Sequence, residues 1–124
     1  MAGLGDVDGD GKLEVGFTGC EQGQGLRCLN AATGELKWEL PLPGNPRVPL
    51  YTADIDGDGK DEFLFAVSAE LFAVNSEAGS GHIVWRAQLP SAPGNLAMAD
   101  VDGDGKIEIL FIGADSVMYC LDAS

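Results

Sequence analysis

The stretch DIDGDGKDEFLFAVS, residues 54–68, joins an acidic loop directly to an apolar run. The same pairing occurs before it as DVDGDGKLEVGFTG (6–19) and after it as DVDGDGKIEILFIG (100–113). Asp6 to Asp54 is 48 residues and Asp54 to Asp100 is 46, so the chain repeats with a period near 47. The likeness extends outward from the loops. LRCLNAATG (26–34), LFAVNSEAG (71–79) and VMYCLDAS (117–124) follow the apolar runs, and ELKWELPLPG (35–44) and HIVWRAQLPSAPG (82–94) follow the first two of these. AGLGDV (2–7), VPLYTADI (48–55) and NLAMADV (95–101) lead into the loops.

These segments are short, rich in Val, Ile, Leu and Phe, and bounded by Gly, Pro, Asn and Asp clusters. That is strand chemistry, and no segment sustains a 3.6-residue period. Four short strands per repeat at this period predict an all-β chain of β-propeller blades, each of four antiparallel strands. The expected blades are 1–44, 45–94 and 95–124, the last lacking its fourth strand, or about 2.75 blades in one propeller segment. Propellers close with about four to eight blades. The expectation is therefore a partial ring, completed either by adjoining blades of a longer chain or by a homo-oligomer. A dimer would supply about six blades.

Composition narrows the function. The chain has 124 residues, 45% hydrophobic, with net charge −13. Twelve of its 20 acids are Asp6, Asp8, Asp10, Glu14, Asp54, Asp56, Asp58, Glu62, Asp100, Asp102, Asp104 and Glu108. The remaining acids nearly balance the 7 Lys and Arg. So few basic residues argue against nucleic-acid binding. No apolar run reaches the roughly 18 residues of a membrane span, and MAGLGDVD shows no signal-peptide pattern.

Within each loop the acids stand at positions 1, 3, 5 and 9, with glycines at 4 and 6 that let alternate side chains converge. Ca²⁺ takes six to eight hard oxygens. Each loop can offer four carboxylates and one backbone carbonyl, from Lys12, Lys60 or Lys106 at position 7. Three Ca²⁺ sites per chain are expected, and Mg²⁺ fits such flexible, strongly anionic loops less well. Three divalent ions would bring the charge from −13 to −7. A solvated Asp-Gly turn without an ion is the competing reading for any single loop, and three copies with all acids at the same offsets weigh against it. An EF-hand requires Glu at position 12 and flanking helices. Phe17, Phe65 and Phe111 stand there instead.

The three loops resemble the calcium loops of FG-GAP (VCBS) repeats, which build the propellers of integrin α-subunits and many secreted bacterial proteins. The resemblance implies ligands from the side chains at 1, 3, 5 and 9 and the carbonyl at 7, and an extracellular or periplasmic setting. LNAATGELKWELPLPG (29–44), and more loosely VNSEAGSGHIVWRAQLP (74–90), is similar to the quinoprotein (PQQ-type) propeller repeat. That similarity implies the fold without the cofactor, and a blade-locking role for Trp38 with Gly44 and Trp85 with Gly94.

No catalytic constellation is evident. The one histidine, His82, opens an outer strand, so the chain is not expected to be an enzyme by itself. The expected role is recognition, adhesion or scaffolding, with a glycan or protein ligand. The alternative is part of a polysaccharide-active enzyme with a propeller like that of rhamnogalacturonan lyases and catalytic residues elsewhere. Of the three cysteines, Cys20 and Cys28 flank a turn and could pair. Cys120 aligns with Cys28, and the plainer expectation is three half-buried thiols.

Overall fold

The computed structural model describes residues 2–18, 25–42, 44 and 50–122. Among these it contains eleven strands and no helix. The first sheet is β1 (Ala2–Gly5), β2 (Glu14–Thr18), β3 (Gly25–Asn30) and β4 (Leu36–Pro41). The second is β5 (Tyr51–Ala53), β6 (Glu62–Val67), β7 (Glu70–Glu77) and β8 (Ser80–Gln88). The third is β9 (Pro93–Ala99), β10 (Glu108–Gly113) and β11 (Met118–Asp122). Each is an antiparallel meander in chain order, the arrangement of a propeller blade, and the three sheets do not close a ring. The third begins at Pro93, two residues before the boundary drawn at 95.

The central blade explains why its strands read as continuous apolar runs. Side chains of a strand alternate between faces, and here both faces are covered. On β6, Phe63 and Phe65 join Leu26, Cys28, Trp38 and Leu50 in the core between the first two blades. Leu64 and Ala66 turn the other way, to Leu96, Ile109 and Phe111 of the third. On β7, Phe72 and Val74 face the first blade while Leu71 and Ala73 face the third. All eight are essentially inaccessible to water. The outer blades bury one face each. Ile112 and Met118 of the third blade remain exposed.

The blades are also keyed together by glycine. A Cβ at Gly16 would lie 2.6 Å from the Phe63 ring, and one at Gly81 would lie 2.4 Å from Trp38. The indole of Trp38 lies over Gly81, meets Phe63 edge-on at 6.1 Å, and donates from Nε1–H to Ser76 Oγ at 2.9 Å. Trp38 thus locks the first two blades through β7 and β8 and not through Gly44, whose open side faces Val67. Gly94 likewise faces the Ile112 carbonyl and not Trp85. Sequence adjacency suggested the nearer glycines, whereas propeller packing sets each fourth strand against the next blade.

The expectation of three half-buried thiols is also corrected: Cys28 is fully buried and Cys120 exposed. Cys20, and with it the Cys20–Cys28 pairing, lies outside the described residues. Burial, with the nearby charge of Glu14, pushes the Cys28 thiol up to about 12. It is therefore a packing group and not a reactive one.

One irregularity recurs. β3 and β4 pair Cys28 with Trp38 but Leu29 with Leu36, so Lys37 is the extra residue of a β-bulge. β7 and β8 pair Ala73 with Trp85 but Val74 with Ile83, which puts Val84 in the same position one blade later. A bulge re-aims a side chain.

Candidate metal centres

Each acidic loop connects the first strand of a blade to the second. Its shape comes from hydrogen bonds made within nine residues. The first aspartate accepts the N–H groups of both loop glycines: Asp6 from Gly9 at 2.8 Å and Gly11 at 2.9 Å, Asp54 from Gly57 and Gly59 at the same distances, and Asp100 from Gly103 at 2.7 Å and Gly105 at 2.9 Å. These glycines have φ between +77° and +88°, the left-handed region that side chains disfavour. Asp8, Asp56 and Asp102 each accept from the N–H two residues on, at 3.1 Å. Asp10, Asp58 and Asp104 accept the N–H groups of Lys12, Lys60 and Lys106 at 2.8 Å. The final glutamate reaches back to position 2: Glu14 Oε2 accepts from Val7 at 3.0 Å, Glu62 Oε2 from Ile55 at 2.9 Å, and Glu108 Oε2 from Val101 at 2.8 Å.

The loops converge as the spacing predicts, with one difference. Asp6, Asp8, Asp10 and Glu14 bring one oxygen each within 4.8 Å of one another, and Asp100, Asp102, Asp104 and Glu108 do the same. That span suits a shared ion with metal–oxygen distances of about 2.3–2.6 Å. In the second loop Asp54, Asp56 and Asp58 converge, while Glu62 stands outside the 4.8 Å group. Glu62 is fully buried, and its Oε1 has no hydrogen-bond partner. Burial above all, reinforced by the charges of Asp56, Asp58 and Asp54 and opposed by the Ile55 N–H, pushes its carboxyl up to about 7. A buried, orphaned carboxylate oxygen beside three aspartates is a hard-oxygen donor set that a cation would complete. The residues present fit Ca²⁺.

Lys37 was not visible as a site residue in the sequence. From the bulge in β4, its ammonium lies 2.8 Å from Asp8 Oδ2, 2.8 Å from Glu14 Oε1 and 4.0 Å from Asp10 Oδ2. Its hydrogen bonds to Asp8 and Glu14 raise the pKa of the ammonium. At Asp8, partial burial pushes the carboxyl up, but the Lys37 hydrogen bond and the Asp10 N–H outweigh it and the net shift is downward. Its counterpart Asp56 moves upward, through burial and the charges of Asp58 and Asp54. The only sequence trace of this difference is ELKW in one blade against HIVW in the next.

The first two loops are stapled to each other. Asp61 N–H donates to the Asp6 carbonyl at 2.9 Å, and Asp6 N–H donates to Asp61 Oδ2 at 3.1 Å. Thr52 Oγ1–H donates to the Leu4 carbonyl at 2.6 Å. Each of these loops also opens on a groove between blades. One, about 350 Å³, is lined by Asp8, Lys37, Trp38 and Lys60. The other, about 400 Å³, is lined by Asp54, Asp56, Val84, Trp85 and Lys106. His82 is exposed on β8, beside Asn75 of β7.

Comparison with known proteins agrees with this geometry. Residues 6–65 match the family model described as FG-GAP-like repeat. That match takes in the first two acidic loops and just under half of the chain. Among solved structures it is similar to the crystal structure of BamB from Moraxella catarrhalis, a β-propeller, with TM-score 0.62 and 20% identity. The alignment covers 98% of this chain and 32% of the BamB chain, so the chain spans about a third of that protein's length. At this identity the likeness speaks for the fold alone. The curated proteins contain no match. Among the described residues, no helix is long and apolar enough to cross a membrane.

Proposed function

We propose that this FG-GAP-like segment is a calcium-pinned propeller module with a recognition or scaffold role. Its ions order the loops that join the first two strands of each blade. Ligands come from Asp6, Asp8, Asp10 and Glu14, from Asp54, Asp56, Asp58 and Glu62, and from Asp100, Asp102, Asp104 and Glu108, with the carbonyls of Lys12, Lys60 and Lys106. The observation that carries this reading is the buried, partnerless Oε1 of Glu62 beside three converged aspartates. An ion there would neutralise like charges and tie the start of β6 to the end of β5.

The exposed Ile112 and Met118 on the outer blade support a module that works inside a larger ring, beside further blades of its own or of a second copy. Its exposed loops are suited to a glycan or protein ligand, in an extracellular or periplasmic setting where calcium is plentiful. Calcium titration by calorimetry tests the ion assignment. Asp8→Ala, Asp56→Ala and Asp102→Ala should each remove about one bound ion, and unchanged stoichiometry in all three would overturn it.

A further inference from the structure

The three loops share one internal hydrogen-bond pattern but differ in what faces their carboxylates from the rest of the blade. In the first loop the bulged residue of β4 is Lys37, and its ammonium occupies the space between Asp8, Glu14 and Asp10. In the second loop the equivalent bulged residue of β8 is Val84, which lines the groove beside Asp54 and Asp56. The consequence appears at the buried glutamate. Glu14 and Glu62 are both fully inaccessible to water, and the Oε2 of each accepts from the N–H at loop position 2. Glu14 Oε1 then accepts from Lys37 at 2.8 Å, whereas Glu62 Oε1 has no partner.

We propose that Lys37 is a tethered counter-ion of the first loop, so that a divalent cation enters this loop only by displacing the Lys37 ammonium. This rests on the calcium reading above and ranks the loops within it. An ammonium and a calcium ion repel, and both would need Glu14 Oε1 and Asp8 Oδ2. They are alternatives for the same oxygens. The first loop is therefore the weakest calcium site of the three and the one that stays neutralised when calcium is scarce. The second loop, with its orphaned oxygen, depends on the ion.

Calorimetric calcium titration of the intact chain tests this with two reciprocal variants. The natural chain should show two tighter sites and one weaker by about tenfold or more, the scale of one charge-assisted hydrogen bond. Lys37→Met keeps the length of the side chain and removes its charge, and should bring the weak site up to the others. Val84→Lys, at an exposed position, should weaken one of the tight sites by a similar factor and carries the test if Lys37→Met does not fold. Affinities unchanged by both substitutions, or by Val84→Lys alone when Lys37→Met is unfolded, would overturn the inference while leaving calcium binding intact. Absence of calcium binding by the natural chain and both variants would overturn the calcium reading and this inference together.

Discussion

Glu62→Gln offers a test in which the sign of the effect reverses with calcium. Without an ion, Glu62 is a buried carboxylate whose Oε1 has no partner, and its pKa is about 7 instead of the ordinary 4.5. A folded-state pKa above the unfolded value means that the folded protein holds this proton more tightly. Ionisation then destabilises the ion-free fold progressively from about pH 4.5, and fully above about pH 7. The gap corresponds to about 3 kcal/mol, or roughly 10 °C in midpoint for a domain of this size. Glutamine has the same shape and no charge. Its amide oxygen can keep the Ile55 N–H, and its NH₂ group can donate towards the neighbouring aspartates. In excess EDTA at about pH 8, Glu62→Gln should therefore unfold at a higher temperature than the natural chain, with the advantage vanishing near pH 4.5. Saturating calcium should reverse the order, because glutamine removes a negative charge from the ligand set and with it part of the ion's stabilisation. Thermal unfolding followed by the fluorescence of Trp38 and Trp85, across pH and with or without calcium, reads both arms. A lower midpoint for Glu62→Gln in EDTA at about pH 8, or the same order of midpoints in EDTA and calcium, would refute the reasoning.

Trp38→Ala should destabilise the module by about 3–5 kcal/mol in denaturant unfolding, since it empties the junction between the first two blades, whereas Ser76→Ala should cost only about 1 kcal/mol for the lost indole hydrogen bond. Gly81→Val would drive a side chain into the Trp38 ring and should cost at least about 2 kcal/mol, while Gly94→Ala, whose Cβ would meet only the Ile112 carbonyl at 3.5 Å, should stay within about 0.5 kcal/mol. Equal effects of the two glycine substitutions would contradict the packing described for Trp38. Light scattering with and without calcium should show self-association if copies complete the ring, and a monomer in both conditions if adjoining blades belong to the same chain.

Much of this molecule is legible in the sequence because much of it is local. Each blade's strands are contiguous runs that pair with their chain neighbours, so alternation and turn residues suffice to place them. Each acidic loop closes through hydrogen bonds spanning at most seven residues, so convergence of Asp6, Asp8, Asp10 and Glu14 follows from spacing and two glycines. Even Phe17, Phe65 and Phe111, which exclude an EF-hand, do so through local position.

Tertiary structure decided what lies across strands and between blades. Trp38 meets Gly81 and Ser76 of the next blade because the outer strands of adjacent sheets pack together, a relation that the nearer Gly44 imitates only in sequence. Lys37 reaches Glu14, 23 residues earlier, because a bulge at β4 turns its side chain towards the first loop. Val84 stands at the same bulge without a charge, and Glu62 is left with a bare oxygen. Three loops that are nearly identical as strings thus become different electrostatic sites. A loop's shape is set by bonds within nine residues, whereas the balance of its charges is set by whichever side chain the fold brings against it.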